Sequence, residues 1–354
     1  MLRTSLTQIL NTQLDDDSWR QVTLPVNSGG LGIRSAVDLS ASAFLSSIKG
    51  ADSLVSRILS AVTLVAPDPL EDMALAQWSV QTGFTGSSTP SGSLEKMKTW
   101  DEPVVSTVFN NLLSSAADDY SKARLRAVSS AHAGDWLNAV PSASLGLRLD
   151  NESFRIAVGF RLGSRVCSPF PCACGLQMDS RGSHSLACRK SAGRQSRHAT
   201  VNEVVSRAFT RAGIPAVKEP SGLIPGSALR PDGATVIPWS VGRCLAWDVT
   251  CPDTVAASYV SSCASTAGSA AETAALLKIQ KYRQLSTTHM FAPLVFETFG
   301  PLSVQTLSIL NNLGGRIISK TGDPRERMFL FQHLSMAVQR GNIACFLNSL
   351  PSVQ

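Results

Sequence analysis

Asp232 and Asp248 are the two residues that the sequence places best for sharing a metal ion. Asp232 lies in Arg230-Pro231-Asp232-Gly233, ahead of a β-rich run over residues 234–239. Asp248 lies in a second such run, residues 243–250, and Ser240-Val241-Gly242 separates the two. Two β-rich runs about a Gly-containing loop predict a hairpin. Alternation puts Asp232, Ala234 and Val236 on one face of the first strand, and Ala246, Asp248 and Thr250 on one face of the second. Folding about residues 240 and 241 brings Asp232 within about one residue of the place opposite Asp248, where Cβ atoms stand roughly 5 Å apart. Carboxylates that close do not both ionise cheaply without positive charge between them. A divalent cation supplies it, and hard cations take oxygen ligands. The competing reading is two solvated acids at strand ends.

A second constellation is Cys172-Ala173-Cys174, then nine residues before His184 and three more before Cys188. Four soft or borderline ligands in so short a stretch close one tetrahedral zinc site, structural because protein fills every place. The single residue between Cys172 and Cys174 is tighter than the usual two to four, which brings in Cys167 as an alternative ligand. The competing reading is buried cysteines beside a helix-capping histidine. Residues 1–14 hold no apolar core for a signal peptide, and no run reaches the roughly 18 apolar residues of a membrane span. No membrane is therefore expected, the compartment is read as intracellular and reducing, and the clustered cysteines read as ligands rather than disulfides.

Charge points to a polyanion. The net charge of +6 is uneven: residues 1–150 carry 11 Lys and Arg against 15 Asp and Glu, while residues 151–354 carry 21 against 11. Residues 161–197 hold seven cations and one acid, Asp179. A basic half beside an acidic half suggests nucleic acid as partner, with Arg181, Arg189, Lys190, Arg194, Arg197 and His198 as candidate contacts.

In order along the chain, these features resemble a known arrangement. Pro231-Asp232, then an apolar run ending in Asp248, looks like the metal site of PD-(D/E)xK nucleases. Preceded by the Cys-Cys-His-Cys module and Arg197-His198, and followed by Lys281-Tyr282 and Glu297, it is similar to the restriction-like endonuclease at the C-terminus of one group of non-LTR retrotransposon polyproteins. The likeness covers roughly residues 154–300. Leu24-Pro25, with Gly29-Gly30-Leu31-Gly32-Ile33, resembles the segment after the polymerase palm in such proteins. No palm is expected here: neither Asp15-Asp16-Asp17 nor Asp118-Asp119 follows an aromatic residue at the needed offset.

The resemblance implies Mg²⁺- or Mn²⁺-dependent nicking of target DNA, in the nucleus, to prime reverse transcription. The element's RNA and a reverse transcriptase part of the same polyprotein would be further partners. Asp232 and Asp248 would hold the metal, with Glu203 on the preceding helix as a third acid. Thr250 stands where the usual motif has its lysine. The group typically carries that lysine on the next helix, which here offers Lys278 or Lys281, three apart and so on one face, away from Leu276 and Ile279. Two other readings compete: a decayed, non-catalytic nucleic-acid-binding remnant, and a structural scaffold of helices and zinc.

The elements that must position these residues follow from periodicity. The fold class expected is α+β or α/β: a helical N-terminal region and a PD-(D/E)xK nuclease-like mixed-sheet domain with a small zinc module. Residues 1–81 read as a helical post-polymerase segment, with helices over 36–48 and about 53–62. Residues 82–93, rich in Gly, Ser and Thr, read as a linker. Residues 94–153 read as helical, 154–198 as the basic zinc module, 199–300 as the nuclease core and 301–354 as a helical tail without chemistry. Within the core the predicted order is helix, strand, strand, strand, helix, strand.

Overall fold

The computed structural model describes residues 1–59, 68–84 and 89–351. Its helices and strands, in order, are α1 (Leu2–Leu10), α2 (Asp16–Thr23), α3 (Ala36–Ile58), α4 (Pro69–Thr82), α5 (Met97–Ser115), α6 (Asp119–Val128), α7 (Asp135–Asn138), α8 (Asn151–Leu162), β1 (Phe170–Pro171), β2 (Gln177–Met178), α9 (His184–Ala187), α10 (Gly193–Arg211), β3 (Ala216–Lys218), β4 (Gly233–Thr235), β5 (Leu245–Thr250), α11 (Val260–Ser265), α12 (Ser269–Lys281), β6 (Met290–Val295), α13 (Val304–Thr321) and α14 (Glu326–Leu347). The class is α+β, many helices with a small mixed sheet. The chain divides into two compact units, Asp15–Ala116 and the remainder, Met1–Leu14 with Ala117–Gln354.

The unit Asp15–Ala116 is helical. Ser35 caps α3, its hydroxyl accepting from the Asp38 N–H, and α3 runs unbroken to Ile58 where two helices were expected. Residues 60–62 of that expectation lie outside the described residues. Helices α3, α4 and α5 pack around Trp78 and Trp100, set edge to face at 5.2 Å. Each indole needs a partner when buried: Trp78 donates to the Trp100 carbonyl at 2.8 Å, and Trp100 to that of Leu94 at 2.8 Å. The second bond draws the chain before α5 into this core. The expected linker, residues 82–93, therefore does not separate compact units; its residues 85–88 lie outside the described residues. The boundary falls near residue 116 instead, and α1 belongs with α8 in the other unit.

In that other unit the sheet order is β3-β4-β5-β6. Strands β3/β4 and β4/β5 are antiparallel, with Gly233 opposite Trp247 and Ala234 opposite Ala246. Strands β5 and β6 are parallel, joined through α11 and α12, with Asp248 opposite Pro293. The element order is the predicted one with α11 added. The face carrying Leu245, Trp247 and Val249 packs on Val201, Val205 and Phe209 of α10 and on α13 and α14. The other face takes α12 through Ala271, Ala274 and Ala275, and carries a second cluster of Ala234, Ala246, Tyr282 and Leu285. Residues 301–351 are thus a layer of the core rather than a tail. Helix α12 also inverts a pattern: its alanines are buried, while Leu276, Leu277 and Ile279 are exposed.

Candidate metal centre and acid pair

Strands β1 and β2 form a small hairpin whose turn holds Cys172 and Cys174, closed by Cys172 N–H donating to the Leu176 carbonyl at 2.8 Å. Helix α9 begins with His184 and ends against Cys188. The Ser183 N–H at its start donates to Asp179 at 2.8 Å. The four donor atoms lie within 4.8 Å of one another, and they are the one such group of three or more His, Cys, Asp or Glu side chains among the described residues. Cys172 Sγ and Cys188 Sγ are 3.7 Å apart, and Cys174 Sγ and His184 Nε2 are 3.1 Å apart. A tetrahedral ion with metal–sulfur bonds of about 2.3 Å needs sulfurs roughly 3.8 Å apart, so the group can hold a metal ion. A backbone N–H at Leu176 and the His184 ring draw the Cys174 thiol down to about 6, against the opposing effect of burial. Cys167 stands apart from the group, donating to the Asp179 carbonyl at 3.3 Å.

The acid pair is built by β4, β5, α10 and α12. Asp232 precedes β4 by one residue, so the Gly233–Trp247 register sets it opposite Asp248. Gly233 is required there, because a Cβ would overlap the Trp247 indole laid across it. Asp232 Oδ2 accepts from the Val249 N–H at 2.6 Å and lies 2.9 Å from His198 Nε2, which is also 3.1 Å from the Val249 carbonyl. Both neighbours of Nε2 are acceptors, so Nε2 carries the proton. The bond to Asp232 raises the pKa of His198 above its ordinary value, against burial, and the charge of Asp248 adds to the rise. One turn on, Asn202 donates to the Asp232 carbonyl at 3.2 Å and accepts from Trp247 Nε1 at 2.9 Å.

Asp248 is 3% exposed and ion-paired with Lys278 of α12. Tyr282, one turn beyond, donates to the Arg230 carbonyl at 2.8 Å, and burial with Asp248 nearby holds its hydroxyl well above the usual range. Glu297 sets α12 in place. Its buried carboxylate accepts from the Ala271 N–H in the first turn and from the Thr254 hydroxyl, both at 2.8 Å, and burial raises its pKa.

The structure brings Asp232, Asp248, Lys278 and His198 together and leaves the other candidates elsewhere. Glu203 is tied to Lys218 of β3 and to Arg207, the latter at 2.7 Å, and not to either acid's partners. Lys281 is exposed, its ammonium 4.7 Å from the Tyr282 ring centre. Among the expected nucleic-acid contacts, Arg189, Lys190 and Arg194 are exposed. Arg181 is half-buried, bonded to Asp118 at 3.2 Å and stacked on Tyr120. Arg197 is a correction: it is 1% exposed and cannot lie on a contact surface. Its guanidinium donates to Asn342 Oδ1 at 2.9 Å and to the carbonyls of Leu186 and Cys251 at 3.2 and 3.4 Å. Gly341 clears the space, since a Cβ there would overlap the Arg197 side chain. Arg161 of the same basic run is also buried, and burial lowers its pKa to about 10.

Sequence reading missed Asn202 and Asp253. A signal for the first existed: Asn202 follows His198 by four residues, so one helix face carries both. Two adjoining hollows open beside the pair. One, about 460 Å³, runs from His198 past Arg189 and Arg194; the other, about 400 Å³, continues past Asp253 to Lys278 and Lys281. No known protein family and no curated protein matches the chain.

Proposed function

We propose that this chain is a metal-dependent DNA endonuclease of the PD-(D/E)xK type, carrying structural zinc on Cys172, Cys174, His184 and Cys188. One observation carries the reading: an acid pair set opposite across β4 and β5, with a lysine from α12 on one acid, beside a groove with exposed Arg189, Arg194 and Lys281. The oxygens gathered there are the two carboxylates and the Val249 carbonyl. That is an all-oxygen set, suited to Mg²⁺ or Mn²⁺ with water completing the shell. Bound there, the ion would lower the pKa of a water and offset charge developing on phosphate.

The chain's own residues do the rest. Asp232 is oriented by the Val249 N–H and by His198, and Asn202 fixes its backbone. Lys278 stands against Asp248 and supplies positive charge on the side where phosphate would lie. The exposed cations hold the strand on either side of the scissile bond. Nicking a genomic target to prime reverse transcription is the role this reading carries, with the element's RNA and polymerase as partners.

A second reading, a binding remnant without catalysis, is favoured by Glu203 being paired with Lys218 and by Lys278 and His198 already bonded to the two acids. Nicking of supercoiled plasmid in Mg²⁺, with DNA binding measured alongside, separates the two. Wild type should nick, and Asp232→Asn and Asp248→Asn should lose about a thousandfold or more in rate while still binding. Wild-type protein that binds without nicking is the remnant.

A further inference from the structure

The hollow beside α12 differs in kind from the groove that leads to it. Its walls are apolar, with Ala256, Ala274 and Leu277 among them, and Tyr259 stands at its side. Its cations, Arg194, Lys278 and Lys281, come from elements that also border the acid pair. Thr250, on the same strand face as Asp248 and two residues on, joins the hollow to that pair. Two buried polar groups line it as well. Arg197 uses both terminal nitrogens, but its Nε has no hydrogen-bond partner. Asp253, 7% exposed, accepts on Oδ1 from the Thr298 hydroxyl at 2.8 Å, and its Oδ2 has no protein partner among the described residues. The Arg197 Nε is sealed from the hollow, but the open Asp253 Oδ2, the apolar walls and the neighbouring cations make the composition of a small-ligand pocket.

We propose that this pocket receives one unstacked nucleotide of the DNA strand, its phosphate at Arg194, Lys278 and Lys281 and its base between Tyr259 and the Ala256–Leu277 wall. A cavity of about 400 Å³ admits a single nucleotide and excludes a duplex. Apolar walls bind any base face, and the Asp253 Oδ2 acceptor is left for its edge. Unpaired or mismatched bases leave the stack most easily, so the substrate class is DNA with a locally unpaired nucleotide at the cleavage position. The place of that nucleotide in DNA rests on the endonuclease reading; the pocket's affinity for a nucleotide does not.

Calorimetry on the full chain tests it with the four deoxynucleoside 5′-monophosphates, thymidine and inorganic phosphate. A second arm compares a perfect duplex with the same duplex carrying one mismatch. The monophosphates should bind at least about tenfold more tightly than phosphate or thymidine, and the mismatched duplex more tightly than the perfect one. Ala256→Phe, which fills the pocket, and Leu277→Glu, which places an anion at a position already 56% exposed, should each abolish both preferences. Absence of monophosphate binding, binding no better than that of phosphate, or binding unchanged in folded Leu277→Glu protein overturns the pocket. Monophosphate binding without a mismatch preference overturns its place in DNA. Nucleotide binding that persists in a protein unable to nick overturns the endonuclease reading alone.

Discussion

The cysteine–histidine group and the acid pair both collect donors that metals favour, but they settle their charge differently. Among the described residues no lysine or arginine side chain is bonded to the thiols of Cys172, Cys174 and Cys188; their partners are one another, His184 and backbone N–H groups. Each carboxylate of the pair, in contrast, has its own side-chain donor, the Lys278 ammonium on Asp248 and the His198 Nε2–H on Asp232. The first region is neutral while its thiols stay protonated, and a metal ion bound there would replace their protons and displace no lysine or arginine. In the second both carboxylates are already partnered, and an ion entering it must compete with two side chains. On the proposed reading the first site would hold its ion tightly and the second would exchange it, and the difference would come from the partners as well as from the ligand types.

The largest effect should come from Cys188→Ser. Structural zinc contributes folding free energy on the order of 10 kcal/mol in small domains, so loss of one thiolate should release the metal and unfold residues 170–190. Metal analysis and hydrogen exchange check this, and metal-free protein with an ordered, protected module breaks the contrast. Next comes Lys278→Met, which leaves Asp248 buried without its cation at a cost of about 3 kcal/mol in urea unfolding. Mg²⁺ should restore more stability to Lys278→Met than it adds to wild type, because the ion then takes the lysine's place. Equal Mg²⁺ responses would mean that the pair does not admit the ion.

Arg197 and Arg194 sharpen the same contrast within one helix. Arg197→Ala strands Asn342 Oδ1 and two carbonyls, and should cost about 2–3 kcal/mol. Arg194→Ala should leave stability within about 0.5 kcal/mol and instead reduce the salt slope of DNA binding by about one phosphate contact.

An effect as small as that of Arg194 on stability is expected of His198. Its folded pKa lies above the ordinary 6.5. In metal-free protein the stabilisation from Asp232 and Asp248 is thus full below pH 6.5 and lost as pH rises through the folded value. The side chain is 39% exposed, so screening leaves well under about 1 kcal/mol. His198→Ala should flatten stability over that window, and an unchanged pH profile would remove histidine from the account.

The hairpin, its register and the cysteine–histidine spacing were legible in the sequence because each is local: alternation, a Gly-containing loop and ligand spacing act within about twenty residues. What was not legible depends on distant partners. Arg197 reads as surface charge until Asn342, 145 residues away, is folded against it. Glu203 reads as a third acid because helical phase alone does not say that Lys218 waits on β3. Residues 301–351 read as a tail because α13 and α14 carry no motif, yet they cover the sheet. On α12 the expectation failed for a different reason. Hydrophobicity singles out Leu276 and Ile279, but close packing on the sheet selects Ala271, Ala274 and Ala275.

Those alanines carry one more implication. A lysine two residues from its acid on a strand is held at a distance fixed by the peptide chain. Here Thr250 occupies that place, and the ammonium arrives from a different layer. The separation between cation and carboxylate is then set by how closely a helix rests on a sheet, with Glu297 clamping the helix start. It is a gap that grows or shrinks by single methyl groups. Ala274 could move Lys278 without touching it, so this chain can be retuned by steps that a lysine fixed two residues from its acid cannot take.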